Sequence, residues 1–170
     1  MRFEVKVSNV DETLAPGEDA ERAATRLSHA KAAAVARNDP RPVLAADTLV
    51  VCEGRILGKP SSAADAVDML RLLSGRAHDV VTGVCLLSAG VPRIAVVRTT
   101  VEFAAMSEAE IAWYVATEEP LDKAGAYHVE GRGALFVTGI SGSPSNVAGL
   151  PVRTVLALAR DAGLDLGLSV

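Results

Sequence analysis

The chain has 170 residues, 49% of them hydrophobic, which is enough to bury a core as one domain without disulfides or a structural metal. A net charge of -4 and a pI near 5.4 exclude global attraction to nucleic acid or an anionic membrane, so any phosphate ligand needs a local cluster of cations. No apolar run is long enough for a membrane span, and the opening MRFEVKVSNVDE is too polar for a signal peptide, which predicts a cytoplasmic protein.

In chain order, Phe3, Val5 and Val7 alternate with Glu4 and Lys6, the period of a half-buried strand. The loop Ser8 to Thr13 carries Asp11 and Glu12, two adjacent carboxylates that are either solvated or able to bind a divalent cation. Pro16 and Gly17 precede an Ala-rich helix predicted over Glu18 to Arg37, with acidic residues early and Lys31 and Arg37 late, as the helix dipole favours. Lys31 lies among Ala30, Ala32, Ala33 and Ala34, so it either snorkels or reaches into a cleft.

The stretch VLAADTLVVCEGRILGKP, from Val43 to Pro60, reads as a strand buried on both faces, a Glu53-Gly54-Arg55 turn, a short strand at Ile56-Leu57 and a Gly-Lys-Pro bend that points Lys59 outward. Asp47 sits inside the first of these strands. A carboxylate there needs a cation, a metal or hydrogen-bond donors to offset desolvation, and it reads either as a catalytic group or as a strand-end cap. Lys6, Lys31, Lys59 and Lys123 are the only lysines in a chain that otherwise uses arginine, and the three beside Gly, Asp or Ala-rich helix positions, Lys31, Lys59 and Lys123, suggest phosphate sites.

Ser61 or Ser62 caps a helix predicted through Leu73 and ended at Gly75. Val80 to Leu87 and Arg93 to Phe103 read as a hairpin about Ala89-Gly90. Ser107 and Glu110 make a capping box for a helix through Ala116, with Trp113 expected in the core. Residues 118–134 read as a long functional loop rich in Gly and charge, followed by a short strand at Leu135-Phe136-Val137 and a hydroxyl-rich turn from Ser141 to Asn146. Pro151 opens a last helix. Cys52 and Cys85 lie in apolar runs without metal-type spacing and read as buried thiols. His78 and His128 lack a Ser or Cys partner and read as ordinary strand and loop histidines. Strands mixed with helices predict an α/β protein with a mixed sheet and flanking helices.

Five segments in order carry a resemblance: AADT around Asp47-Thr48; GRILGKP; Leu73-Ser74-Gly75-Arg76 with His78-Asp79-Val80-Val81-Thr82-Gly83; Asp122-Lys123-Ala124-Gly125-Ala126-Tyr127; and Ser143-Pro144-Ser145-Asn146-Val147-Ala148-Gly149-Leu150-Pro151. Together they are similar to the Maf family of nucleotide pyrophosphatases, from about Phe3 to the C-terminal helix. The resemblance implies a two-lobed fold shared with inosine triphosphate pyrophosphatases, a cleft between the lobes, a homodimer and a link to septum formation. It also implies metal-dependent cleavage, with Mg2+ or Mn2+, of a nucleoside triphosphate to the monophosphate and pyrophosphate. Carried onto this chain, Asp47 would be the base, Glu12 and Asp47 would hold the metal, and Lys31, Lys59 and Lys123 would face the phosphates, one of them keeping Asp47 ionised. Thr48 and Glu130 fall at specificity positions.

The chain departs from that pattern twice. The family begins with a further strand and a Ser-x-Ser-x-Arg-Arg segment opening a helix, whereas Met1-Arg2 here abuts the expected second strand. Either that segment lies upstream of Met1, or the chain lacks it and is expected to be catalytically weak, having lost several kcal/mol of phosphate binding at about 1.5 to 3 kcal/mol per charged hydrogen bond. Glu130 also stands where the pyrimidine-specific branch usually has Gln, as in the branch acting on 7-methyl-GTP, and a carboxylate only accepts hydrogen bonds. The surrounding DKAGAY is of the dTTP/UTP type, so dTTP and UTP are the expected substrates. The alternatives are 7-methyl-GTP, or a catalytically impaired protein that binds nucleotide or regulates division.

Overall fold

Two-residue turns set the sheet. Glu53 and Gly54 both take positive φ (50° and 75°), as do Ala89 and Gly90 (50° and 76°), the left-handed pair whose twist suits a tight hairpin. In the computed structural model, which describes residues 3–167, the first turn joins β1 (Val43–Cys52) to β2 (Arg55–Leu57) and the second joins β3 (Ala77–Ser88) to β4 (Val91–Phe103). With β5 (Val137–Ser141) they form one five-stranded sheet of order β2-β1-β3-β4-β5, antiparallel where β1 meets β2 and where β4 meets β5. The helices are α1 (Ala20–Ala36), α2 (Ala63–Leu73), α3 (Glu108–Ala116), the single turn α4 (Pro144–Val147) and α5 (Val152–Asp161). Their starts follow local chemistry. Asp19 accepts from the amides of Glu21 and Arg22, Ser62 from Asp65, and Ser107 and Glu110 complete the capping box, each satisfying amides that the first helical turn leaves open. The expected α/β architecture is present, and among the described residues no helix is long and apolar enough to cross a membrane.

The chain divides into two compact units. The first comprises residues 1–47, 82–97 and 149–170, the second 48–81 and 98–148. In the first, α1 lies close against β3: a Cβ on Gly83 would sit 2.2 Å from the Ala24 carbonyl oxygen, so only glycine permits this approach. Val84, Leu86, Leu158 and Ala159 are buried beside it, with Ala46, Ala95 and Val155 packed against them. In the second unit α2 and α3 bury Leu70, Leu73, Ile111 and Tyr114 with Val50, Val80, Val101, Phe103, Tyr127 and Phe136. Both cysteines are buried and unbridged, as expected.

Four local expectations are corrected. Residues 3–7 form no strand, and Phe3, Val5 and Val7 are 80–83% exposed. Alternation alone does not make a strand without a partner to take its amides and carbonyls; Lys6 instead pairs with Asp39, and Glu4 with Arg41. Met1 and Arg2, which precede this segment, lie outside the described residues. Trp113, expected in the core, is 47% exposed, and its neighbour Tyr114 takes the fully buried position. Residues 118–134, expected as one long loop, carry short 3-10 helices at Glu119–Asp122 and Ala124–Ala126, with a third from Arg132–Phe136. Leu135 and Phe136 belong to that last helix, so β5 starts at Val137.

His78 is 3% exposed in the second unit, edge-on to Phe103 and Tyr127, with Nε2 2.9 Å from the Tyr127 hydroxyl. Burial pushes its pKa down to about 4, against a small upward pull from Asp79. A depressed histidine contributes stability that is complete above its unfolded value near 6.5 and is lost as pH falls through the folded value. Urea unfolding should therefore show a loss of about 3 kcal/mol between neutral pH and about pH 4 that His78→Leu removes from the pH profile. A wild-type curve flat over that range would contradict it.

Candidate active site

Asp47 occupies the middle of β1, where it is 7% exposed. The Lys31 ammonium, from α1, lies 2.5 Å from Asp47 Oδ1 and 2.8 Å from Glu12 Oε1. Burial draws the Lys31 pKa down, but its hydrogen bonds to Asp47 and Glu12 outweigh that and leave it raised. The lysine thus stays charged between two carboxylates, of which Asp47 is the buried one and Glu12 is half-exposed.

Arg26, one helical turn and a residue before Lys31, was not singled out by the sequence. It grips the Glu18 carboxylate through Nε and Nη2, at 2.8 and 2.7 Å, and donates to the Thr13 carbonyl at 3.1 Å. The Thr13 amide in turn donates to Asp11. Arg26 therefore ties the Asp11–Thr13 loop to α1, and with it Glu12, next to Lys31. Its position on the same helix as Lys31 is the signal that could have found it.

The other expected site residues belong to the second unit. The Gly125 amide donates to the Gly58 carbonyl at 3.0 Å, joining the bend that bears Lys59 to the loop that bears Lys123. Gly125 needs its φ of +69°, and a Cβ there would come within 2.9 Å of Val50, so the contact requires glycine. Lys123 Nζ lies 2.6 Å from Asp122 Oδ1, and the Asp122 carboxylate is held below its ordinary range by that hydrogen bond, with a lesser contribution from the charge of Lys59. Thr48 lies half-buried on β1, and Glu130 is exposed on the turn between His128 and Gly133. The structure thus brings Glu12, Lys31 and Asp47 together in one unit, and Lys59 and Lys123 together in the other.

Among the described residues no group of three or more His, Cys, Asp or Glu side chains is arranged to hold a metal ion. Glu12 and Asp47 nevertheless turn carboxylate oxygens toward one cationic position, now filled by the Lys31 ammonium. Two hard oxygen donors suit Mg2+ or Mn2+ when substrate phosphates and water complete the shell.

A buried acid flanked by a lysine and a second carboxylate suits an enzyme that works by proton transfer in an electrostatically tuned site. The family described as Maf-like protein matches residues 1–162, and this chain belongs to it. A dTTP/UTP pyrophosphatase of Anaeromyxobacter sp. (strain Fw109-5) is 51% identical over 168 residues, covering 96% of this chain and 80% of the relative. Another, from Myxococcus xanthus (strain DK1622), is 48% identical over 167 residues, covering 98% and 85%. A solved nucleoside-triphosphatase / dITP/XTP pyrophosphatase from Mycobacterium abscessus covers 96% of this chain and 82% of its own at 15% identity and a TM-score of 0.39, too remote to carry an argument.

Proposed function

We propose that this protein is a nucleotide pyrophosphatase that hydrolyses dTTP and UTP to the monophosphate and pyrophosphate. The observation that carries this reading is the buried Asp47 carboxylate held by Lys31 beside Glu12; relatives at 45–51% identity named dTTP/UTP pyrophosphatase support it. Asp47 accepts the proton of the water that attacks the α-phosphorus, and the bond to the pyrophosphate breaks on the opposite side. Lys31 offsets the charge of Asp47 before the proton arrives, while Lys59 and Lys123 offset charge on phosphate oxygens. A divalent cation, when bound by Glu12 and Asp47, supplies Lewis-acid stabilisation of the phosphate charge. Thr48 and Glu130 read the base. The family resemblance supports a homodimer in the cytoplasm as part of the same reading.

Glu130 favours one second reading. Its exposed carboxylate can only accept, and guanine offers a donor edge, which suits 7-methyl-GTP. Incubation with Mg2+ or Mn2+ and a panel of dTTP, UTP, GTP, 7-methyl-GTP and ATP should release pyrophosphate fastest from dTTP and UTP. Fastest release from 7-methyl-GTP would move the assignment to the second reading. Calorimetric binding of a triphosphate without turnover would leave a nucleotide-binding protein instead of an enzyme.

A further inference from the structure

The turn from His128 to Gly133 is held at both ends by two side chains the chemistry above does not use. The Tyr114 hydroxyl, on a side chain with no exposed surface, accepts from the His128 amide at 3.0 Å and donates to Glu119 Oε1 at 2.9 Å. Glu119 in turn accepts from the Gly133 amide through Oε1 and from the Arg132 amide through Oε2, both at 3.1 Å. The Gly131 amide closes the turn on the His128 carbonyl at 3.1 Å. Glu130 stands at the exposed tip. Two glycines make the fit possible: a Cβ on Gly131 would come within 2.6 Å of the Glu119 carboxylate, and one on Gly133 within 2.7 Å of the Tyr114 hydroxyl.

We infer that Tyr114 and Glu119 are positioning residues for base recognition, clamping the His128–Gly133 turn so that Glu130 is presented in one orientation. The inference rests on the reading of Glu130 as a base-reading residue. A tyrosine and a carboxylate suit this task because one hydroxyl and two carboxylate oxygens together satisfy three turn amides, and the shared Tyr114–Glu119 hydrogen bond couples the two ends of the turn. Neither touches the substrate; each acts through Glu130, so their loss is felt in discrimination between bases and not in the chemical step.

The test compares kcat and KM for UTP, dTTP and GTP in wild type, Glu130→Ala, Tyr114→Phe and Gly131→Ala. Tyr114→Phe removes only the hydroxyl, and Gly131→Ala pushes a methyl group into the Glu119 carboxylate while leaving both clamp side chains in place. Each should raise KM for the preferred nucleotide about tenfold, keep kcat within about twofold and shift the ratio of kcat/KM between bases toward that of Glu130→Ala. Adding Tyr114→Phe to Glu130→Ala should change selectivity no further. If Glu130→Ala alters selectivity while Tyr114→Phe and Gly131→Ala keep the wild-type ratio, the clamp is overturned and the reading of Glu130 stands. If Glu130→Ala leaves selectivity unchanged, the reading of Glu130 falls and the clamp falls with it. Should Tyr114→Phe fail to fold, Gly131→Ala decides alone by the same ratio.

Discussion

Asp47→Asn is expected to lower kcat for triphosphate hydrolysis by about a thousandfold, within the span usual for loss of a general base, while nucleotide affinity measured by calorimetry without divalent cation changes little. Asparagine has nearly the shape of aspartate but no longer takes the proton of the attacking water. The substitution also removes a buried negative charge from the Lys31 ammonium, which keeps Glu12 at 2.8 Å, so the fold should survive. The melting temperature therefore separates the two explanations for lost activity. A variant within about tenfold of wild type would sink the assignment of Asp47 as the base.

Lys31→Met is expected to cost both activity and stability. The methionine fills the volume of the lysine stem, but Asp47, with 6% of its side chain exposed, loses the ammonium 2.5 Å away. Removing one partner of a buried ion pair costs roughly 3 to 5 kcal/mol, and the partial exposure of Lys31 and Glu12 places this case near about 3 kcal/mol. For a chain of this length that is a fall of roughly 8 °C in melting temperature. The raised pKa of Lys31 sets the sign in alkali: its contribution is complete below the unfolded value near 10.5 and is lost as pH rises through the higher folded value. Wild-type stability should therefore decline at high pH, and the Lys31→Met curve should lack that component. A double variant with Asp47→Asn should recover most of the loss, since the buried charge is then gone. No recovery would mean that Lys31 stabilises the protein through packing of its stem.

The elements that local chemistry governs were legible residue by residue. Ser62 and Ser107 cap helices because their side chains accept from amides three residues on, and Glu53-Gly54 and Ala89-Gly90 turn because their backbones take positive φ; the Asp19 cap, which starts α1 at Ala20, was not read. Phe3 to Val7 misled because its alternation states which face a strand would bury, not whether a neighbour exists. Trp113 misled for a related reason: on a one-faced helix, adjacent positions point to different sides, and packing chose Tyr114. Residues 118–134 read as one loop because the bonds that Tyr114 and Glu119 make to the His128, Arg132 and Gly133 amides appear only when the turn is brought to them.

By itself the sequence determined the α/β class, the caps at Ser62 and Ser107, the two hairpin turns, the family, and Asp47 as a buried acid that needs a cation, a metal or hydrogen-bond donors. Only the tertiary structure decided that the cation is Lys31 with Glu12 beside it, that Arg26 ties the Glu12 loop to the helix, and that Gly83 must be glycine for α1 to approach β3. Caps and turns close over two to four residues, so composition reaches them. Asp47 meets its lysine across sixteen residues, and which charges meet over such a span depends on how whole faces pack.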